Sequence, residues 1–407
     1  MTPVPTLDPV DWTAWADDPY PLYRLLRDES PVYYDEPNDT YVLTRFDDVY
    51  GVLRQHDTYS NVPLGILQGN LARTSDIRMA DPPVHTLRRR IVKPMFIPGE
   101  MRRITPYLHE VSRELIDAVA GDDVVDITDA FAIALPGRVT LDIIGLPREV
   151  HDSFRALTDE RIRIILGRTG ATHEPPEARA EVERIRAALW EIVGPIAQER
   201  RREPRHDVMT LVVQARDEHG PEVIPDDVFI NLLAEVLTAG FETTQHLIEL
   251  LLDRCADDPE LWARLRAERA LIGPAMEEML RYKSPTQALG RRPVQDVTFH
   301  GVEIAKDSWI TISYASANRD ERQFPDPDTY IPDRDLRKHV AFSYGIHYCA
   351  GAPLTRYEVT ALLHELLDRF ETIERAGEST PWPTTFPGRI GKPPGLRHVP
   401  VRLREAA

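Results

Sequence analysis

The stretch DDVFINLLAEVLTAGFETTQHLIELLLDRCADDP, residues 226–259, restricts most what this chain can fold into. Pro225 precedes it, Asp226 and Asp227 offer a helix start, and Asp257-Asp258-Pro259 offer a stop. A helix of about 30 residues at 1.5 Å each is roughly 45 Å long, the width of a whole domain. Such an element is expected to cross the core, so the rest of the chain must be arranged around it. Its centre, AGFETT, suits a helix badly. Gly240 costs about 1 kcal/mol against alanine, and Thr243 and Thr244 are expected to bond back to carbonyls four residues earlier and bend the helix. That concentration predicts a local opening kept for function. Glu235, Glu242 and Glu249 recur every seven residues; a solvated acidic face is the plain alternative and is disfavoured.

Helical patterns run from Pro83 to about Pro225, and with the long helix they give an α-rich core over about 83–282. Strand-like segments fall at about 31–46, 294–316 and 384–403. In the first, two short strands flank a turn at Glu36–Asn38, and Asp47 or Asp48 is expected to cap the helix that follows. Residues 62–80 read as a long loop, a length usually reserved for function. No fixed repeat and no low-complexity linker interrupts the chain. The expectation is one domain over 1–407, mainly α with a smaller β portion.

The formal net charge of -17 opposes a general affinity for nucleic acid or anionic membrane. The N-terminus lacks a signal pattern, and no run of about 18 apolar residues occurs. Two cysteines cannot make a disulfide framework. These features point to a cytoplasmic protein, and the preference for arginine over lysine suits a GC-rich bacterial genome.

Cys255, in LDRCADDP, reads as a small buried hydrophobe. Cys349 sits differently, in AFSYGIHYCAGAPLTRYE (341–358), between Gly345 and Gly351 and just before a helix start. Free N–H groups at a helix start stabilise a thiolate, which suits a nucleophile or a metal ligand. Without a CxxC pair, zinc is disfavoured.

Phe342, Gly345, His347, Cys349 and Gly351, followed by Leu354, Thr355 and Arg356, resemble the cysteine loop of the cytochrome P450 family, F-G-x-G-x-H-x-C-x-G and then L-A-R. Ser343 stands where the family has its first glycine, and Thr355 where it has alanine. The resemblance extends over nearly the whole chain. The family's E-x-x-R matches Glu278 and Arg281, which share a helix face at i,i+3, and its further arginine matches Arg334. These imply a structural cluster around the cysteine loop. D-P-P-x-H matches residues 81–85, giving His85 and, four residues on, Arg89. Arg291 matches the arginine at the start of the next strand, five residues before Asp296, whereas alternation points Arg292 away.

The resemblance implies a P450 fold with haem b between the long helix and the cysteine loop. Cys349 would be the axial thiolate, and His85, Arg89, Arg291 and His347 would serve the propionates. It implies a monooxygenase in which Glu242 and Thr243 form the acid–alcohol pair for proton delivery, with Ala239 and Gly240 leaving room for O2. Glu235, Thr238, Ala239, Gln287, Ala288 and Leu289 are expected to line the substrate pocket, with Leu64–Leu71 contributing from the loop. An acid at Glu235 needs a partner: Gln287, an arginine of the 62–80 loop, or the substrate. Electrons are expected from NAD(P)H through a separate reductase and a small ferredoxin, docking near Arg89, Lys338 and Arg356. No reductase is expected within the chain, and a monomer is expected. Two alternatives are a peroxide-driven peroxygenase, disfavoured by the acid–alcohol pair, and a non-catalytic haem-fold binding module, disfavoured by Cys349 and Thr243. The same motifs serve many substrates, so the substrate is not legible.

Overall fold

A computed structural model describes residues 10–15, 17–63, 77–166, 176–335, 338–382 and 395–405. Residues 64–71, expected to line the pocket, and the first part of the strand-like 384–403 segment lie outside the described residues. The chain divides into two compact units. One comprises Met1–Tyr59, Ile104–Leu135 and Thr243–Ala407; the other comprises Ser60–Arg103 and Pro136–Glu242.

The described helices are α1 (Tyr20–Glu29), α2 (Phe46–Arg54), α3 (Val84–Val92), α4 (Pro98–Ala118), α5 (Ala134–Ile144), α6 (His151–Leu166), α7 (Pro176–Arg202), α8 (Val208–His219), α9 (Asp226–Asp257), α10 (Pro259–Ala267), α11 (Ile272–Tyr282), α12 (Tyr314–Ala317) and α13 (Ala352–Arg369). The strands are β1 (Val32–Asp35), β2 (Thr40–Leu43), β3 (Tyr59–Ser60), β4 (Val125–Asp126), β5 (Ala288–Pro293), β6 (Val297–Phe299), β7 (Val302–Ile304), β8 (Ile310–Ser313), β9 (Phe370–Arg375), β10 (Thr380–Pro381), β11 (Leu396–His398) and β12 (Pro400–Glu405). The fold is mainly α with a smaller β portion.

In the first unit, β1 and β2 form the expected hairpin over a 3₁₀ turn at Glu36–Asn38. β2 then pairs in parallel with β8, and β8 antiparallel with β5, giving the order β1-β2-β8-β5-β3. Val32, Leu43, Ile310 and Ile312 are buried in one cluster with Phe46, Val49, Val52 and Leu53. The α2 positions recur at helical spacing, so one apolar face seals this sheet. The start of α2 departs from expectation. Asp47 and Asp48 lie inside its first turn, and no side chain of the preceding residue caps it. The Phe46 N–H donates instead to Asp320 Oδ2 at 2.8 Å, a cap from a distant segment that local pattern cannot reveal. A second sheet, β4-β12-β9, uses a strand running straight out of α13 that the sequence reading missed.

The long helix forms as expected, with 32 residues. The helix runs unbroken through AGFETT. Gly240 has another reason. A Cβ there would lie 3.1 Å from Thr140 Oγ1 and 3.3 Å from its Cγ2, so glycine permits close approach of α9 to α5. The acidic stripe is not a solvated face, because Glu235 is 8% and Glu249 0% exposed. Glu249 accepts from Gln245 Nε2 (2.7 Å), Trp382 Nε1 (3.3 Å) and the Leu396 N–H (2.8 Å), and pairs with His246 Nδ1 at 3.0 Å. Four partners offset the desolvation of one buried carboxylate and fasten β11 to α9. Among the described residues, no single helix is long and apolar enough to cross a membrane.

Candidate functional site

The cysteine loop is built on reversed backbone. Ser343 and Gly345 take φ of 62° and 69°, the left-handed region that glycine enters freely and other residues enter at a cost of about 1–2 kcal/mol. Glycine is required at 345 for a second reason, because a Cβ there would lie 2.5 Å from the Leu53 carbonyl oxygen. Ser343 bears the strain where the family has glycine. Its N–H donates to Val340 O at 2.8 Å, and Tyr314 OH donates to its Oγ at 3.2 Å. The turn closes when the Cys349 N–H donates to Phe342 O at 2.9 Å, and α13 begins three residues beyond the cysteine. Cys349 is half-buried and outside any disulfide, while Cys255 is buried, as expected of a core residue. Burial pushes the Cys255 thiol far above its ordinary range.

α13 is tied to α9 by Thr355 Oγ1 and Thr244 Oγ1, 3.0 Å apart. Thr244 therefore reaches across to another helix, while the Thr238 hydroxyl bonds back along α9, 2.8 Å from Ala234 O. Thr355, the residue that departs from the family's alanine, thus has a partner in this chain. In the turns of α9 before Thr244, Ala239 and Glu242 are exposed, and Gly240 and Thr243 are partly so.

Glu278 and Arg281 make the pairing their spacing predicts, with Nε–Oε2 and Nη2–Oε1 both at 2.8 Å and both side chains fully buried. Arg334 joins through Nε at 3.0 Å to Oε1, and the Ile331 N–H donates to the same oxygen at 3.0 Å. Arg281 Nη1 also donates to the carbonyls of Asn318 and Pro327, both at 2.9 Å. Burial acts to raise the Glu278 carboxyl, but the hydrogen bonds and charges of these donors hold it below the usual carboxylate range. The cluster locks α11 to residues 318–334, the segment leading into the cysteine loop.

The preceding residue, Glu277, was not singled out from sequence. It accepts from Arg356 Nε (2.5 Å) and Nη2 (3.1 Å) and pairs with His339 Nε2 (2.8 Å). Its carboxyl is lowered to about 2: burial pushes it upward, and the His339 and Arg356 bonds and charges outweigh that. Arg356, expected as a docking cation, bonds to this carboxylate and stacks over the Phe342 ring at 4.6 Å. The face around the loop carries other cations: exposed Lys338 and Arg54 each lie 5.6 Å from the Tyr50 ring, which is 4.7 Å from the ring of half-exposed Tyr344.

Among the residues expected to serve a cofactor, Arg291 is the most telling. Its side chain is 4% exposed, yet its hydrogen bond goes to Gly290 O at 2.7 Å, and no carboxylate among the described residues pairs with it. A buried guanidinium without a counter-charge fits a site built for an anionic group such as a haem propionate. Arg292, in contrast, pairs with Asp307. His347 lies in a 3₁₀ turn two residues before Cys349. His85 and Arg89 lie one turn apart on α3, in the other unit.

Glu235 is held within its own unit. It accepts from the Ile77 N–H at 2.5 Å and the Arg78 N–H at 3.1 Å, and Arg78 Nε lies 3.5 Å away. A loop arginine, Arg78, is one of the partners weighed for it. Gln287 is 3% exposed and donates to Ser284 O at 2.6 Å. Ala288 is partly exposed and Leu289 is 38% exposed on β5.

Residues 28–400 match the family model described as Cytochrome P450. The chain is 32% identical over 394 residues to Cytochrome P450 109 of Bacillus spizizenii, covering 95% of this chain and 92% of that protein. It is 28% identical to 6-deoxyerythronolide B hydroxylase of Saccharopolyspora erythraea, over 99% of this chain and all of that one. Among solved structures, CYP109E1 of Bacillus megaterium in complex with corticosterone is similar, with a TM-score of 0.80, 29% identity, and coverage of 96% of this chain and 99% of that chain.

Proposed function

The chain belongs to the cytochrome P450 family of monooxygenases, and from that premise we propose that it oxidises a lipophilic small molecule with O2, taking electrons from NAD(P)H through a separate reductase and a small ferredoxin in the cytoplasm. The observation that carries the site assignment is the reversed loop at Ser343–Gly345. It turns the backbone so that Cys349 follows a closed bend and precedes the start of α13.

Cys349 would be the axial ligand of haem b, within a single haem-binding domain formed by the whole chain. Arg291, His347, His85 and Arg89 would hold the propionates, with the buried, acid-free Arg291 as support. Phe342, Gly345 and Gly351 would frame the proximal side. Haem held by a thiolate supplies the electron density that favours O–O cleavage. The residues of α9 govern protons and access. Glu242 faces solvent and can exchange protons with it. Thr243, the next residue and partly buried, carries the hydroxyl that passes a proton inward. Ala239 and Gly240 keep that turn free of bulk. General acid–base steps of this kind contribute about 10²–10⁴-fold.

A lipophilic substrate is supported by the exposed, uncharged Ala239 and Leu289. It is supported also by Glu235, whose charge is met by two amides and a guanidinium, so the substrate needs no cation to match it. CYP109E1 is described in complexes with corticosterone and testosterone, and neutral steroids are the first class to screen. For the electron donor, an acidic ferredoxin is supported by Lys338 and Arg54 around Tyr50, next to the exposed Tyr344. Arg89 remains a candidate docking residue as first read.

The test is the absorption spectrum of the reduced protein with carbon monoxide, followed by spin-shift titration with steroids. A strongly red-shifted Soret band is expected. A band at the shorter wavelength of a thiol or histidine ligand would refute the thiolate assignment. Thr243→Ala is expected to keep that band but divert reducing equivalents to peroxide; unchanged coupling would refute its role.

A further inference from the structure

Two side chains around the cysteine loop, His339 and Arg356, converge on one carboxylate, Glu277. His339 stands at the start of the approach to the loop, and its Nδ1 accepts the Ala341 N–H at 3.3 Å. The other ring nitrogen, Nε2, lies 2.8 Å from Glu277 Oε2. Arg356, on the first turns of α13, gives Glu277 two hydrogen bonds. The same guanidinium lies over Phe342, whose carbonyl closes the turn on the Cys349 N–H, and its Nη1 donates to Tyr348 OH at 3.4 Å. Tyr348 is bonded covalently to Cys349. One acid thus fixes the entry to the loop, its middle ring and the residue before the ligand.

We propose that Glu277 is a positioning residue for the cysteine ligand, holding Arg356 as a clamp over the loop rather than leaving it as a surface cation. This rests on the haem-thiolate reading and goes beyond the structural cluster next to it. Neighbouring carboxylates on α11 divide the work: Glu278 fixes residues 318–334, and Glu277 fixes 339–348. Its side chain is 23% exposed, so its charge is only partly screened by water. Two bonds to a planar guanidinium also set direction, which a lysine at 356 cannot reproduce.

The test uses the haem-loaded full chain with Glu277→Gln, Glu277→Asp, Arg356→Gln, Arg356→Lys and the double variant Glu277→Gln/Arg356→Gln. Two readouts are followed. One is the fraction of the reduced carbon monoxide complex at the shorter-wavelength Soret band in sub-denaturing urea. The other is amide hydrogen exchange over residues 339–348. Glu277→Gln is expected to raise both several-fold, with Glu277→Asp and Arg356→Lys intermediate. The double variant is expected to be no worse than either single glutamine variant, because all three lose the same clamp. Wild-type exchange in Glu277→Gln, or single effects that add in the double variant, would overturn the proposal. A wild-type protein lacking the red-shifted band would sink the haem-thiolate reading, while exchange over 339–348 still decides the clamp. Arg356→Lys retains a cation, so a variant that folds is available even if the glutamine variants do not.

Discussion

Glu358 lies on α13, nine residues after the cysteine, with its side chain fully buried. Neither carboxyl oxygen has a hydrogen-bond partner among the described residues. Burial without a donor favours the uncharged form and raises its pKa well above the ordinary carboxyl value. The folded chain therefore keeps a proton that the unfolded chain releases once the pH passes the ordinary value. The native state then binds more protons, so stability falls as pH rises, by about 1.4 kcal/mol per pH unit from this group, for as long as the folded carboxyl stays protonated. Glu358→Gln preserves shape and neutrality and cannot ionise. Any cost of burying its amide is independent of pH, so the slope of the difference is the quantity to read. Urea unfolding of wild type and variant between about pH 5 and 7 should show the variant gaining on the wild type as the pH rises. Infrared spectra at neutral pH should show a protonated carboxyl band in the wild type that the variant lacks. Parallel stability profiles, together with no lost band, would refute the claim that this acid is buried uncharged.

Three further outcomes follow from the same geometry. Glu278→Gln leaves Arg281 and Arg334 without their carboxylate, and loss of one buried partner should lower unfolding stability by about 3–5 kcal/mol, checked by urea midpoints and retained haem. Gly345→Ala adds a left-handed penalty of about 1–2 kcal/mol and a Cβ against the Leu53 carbonyl; a stability loss below about 1 kcal/mol with an unmoved Soret band would contradict it. Glu235→Ala removes charge-assisted bonds worth about 1.5–3 kcal/mol, so the amides of Ile77 and Arg78 should exchange roughly 10–100-fold faster, with Glu235→Gln between; unchanged exchange would mean that the carboxylate does not hold that backbone.

What the sequence disclosed and what it concealed separate along one physical line. The cysteine turn and the Glu278–Arg281 pair are local: glycine spacing and an i,i+3 interval are enough to read them. The hairpin at Glu36–Asn38 is local for the same reason. The residues misread were those whose reason lies far away in the chain. Gly240 reads as a helix defect until Thr140 of α5 is seen 3.1 Å from where its Cβ would be. Glu249 shows no partner in the local pattern until Trp382 and Leu396 arrive from more than a hundred residues later. Arg356 reads as a free cation because its partner Glu277 lies 79 residues earlier, beside the better-known motif acid. Thr355 reads as a departure from pattern until it meets Thr244. In each case composition names a side chain that needs a partner, and only the fold supplies one. A buried-type charge or an ill-suited small residue is therefore best read, in a chain of this kind, as a statement about a distant neighbour. At Arg291 no carboxylate partner lies among the described residues, and that supports the propionate role proposed for it.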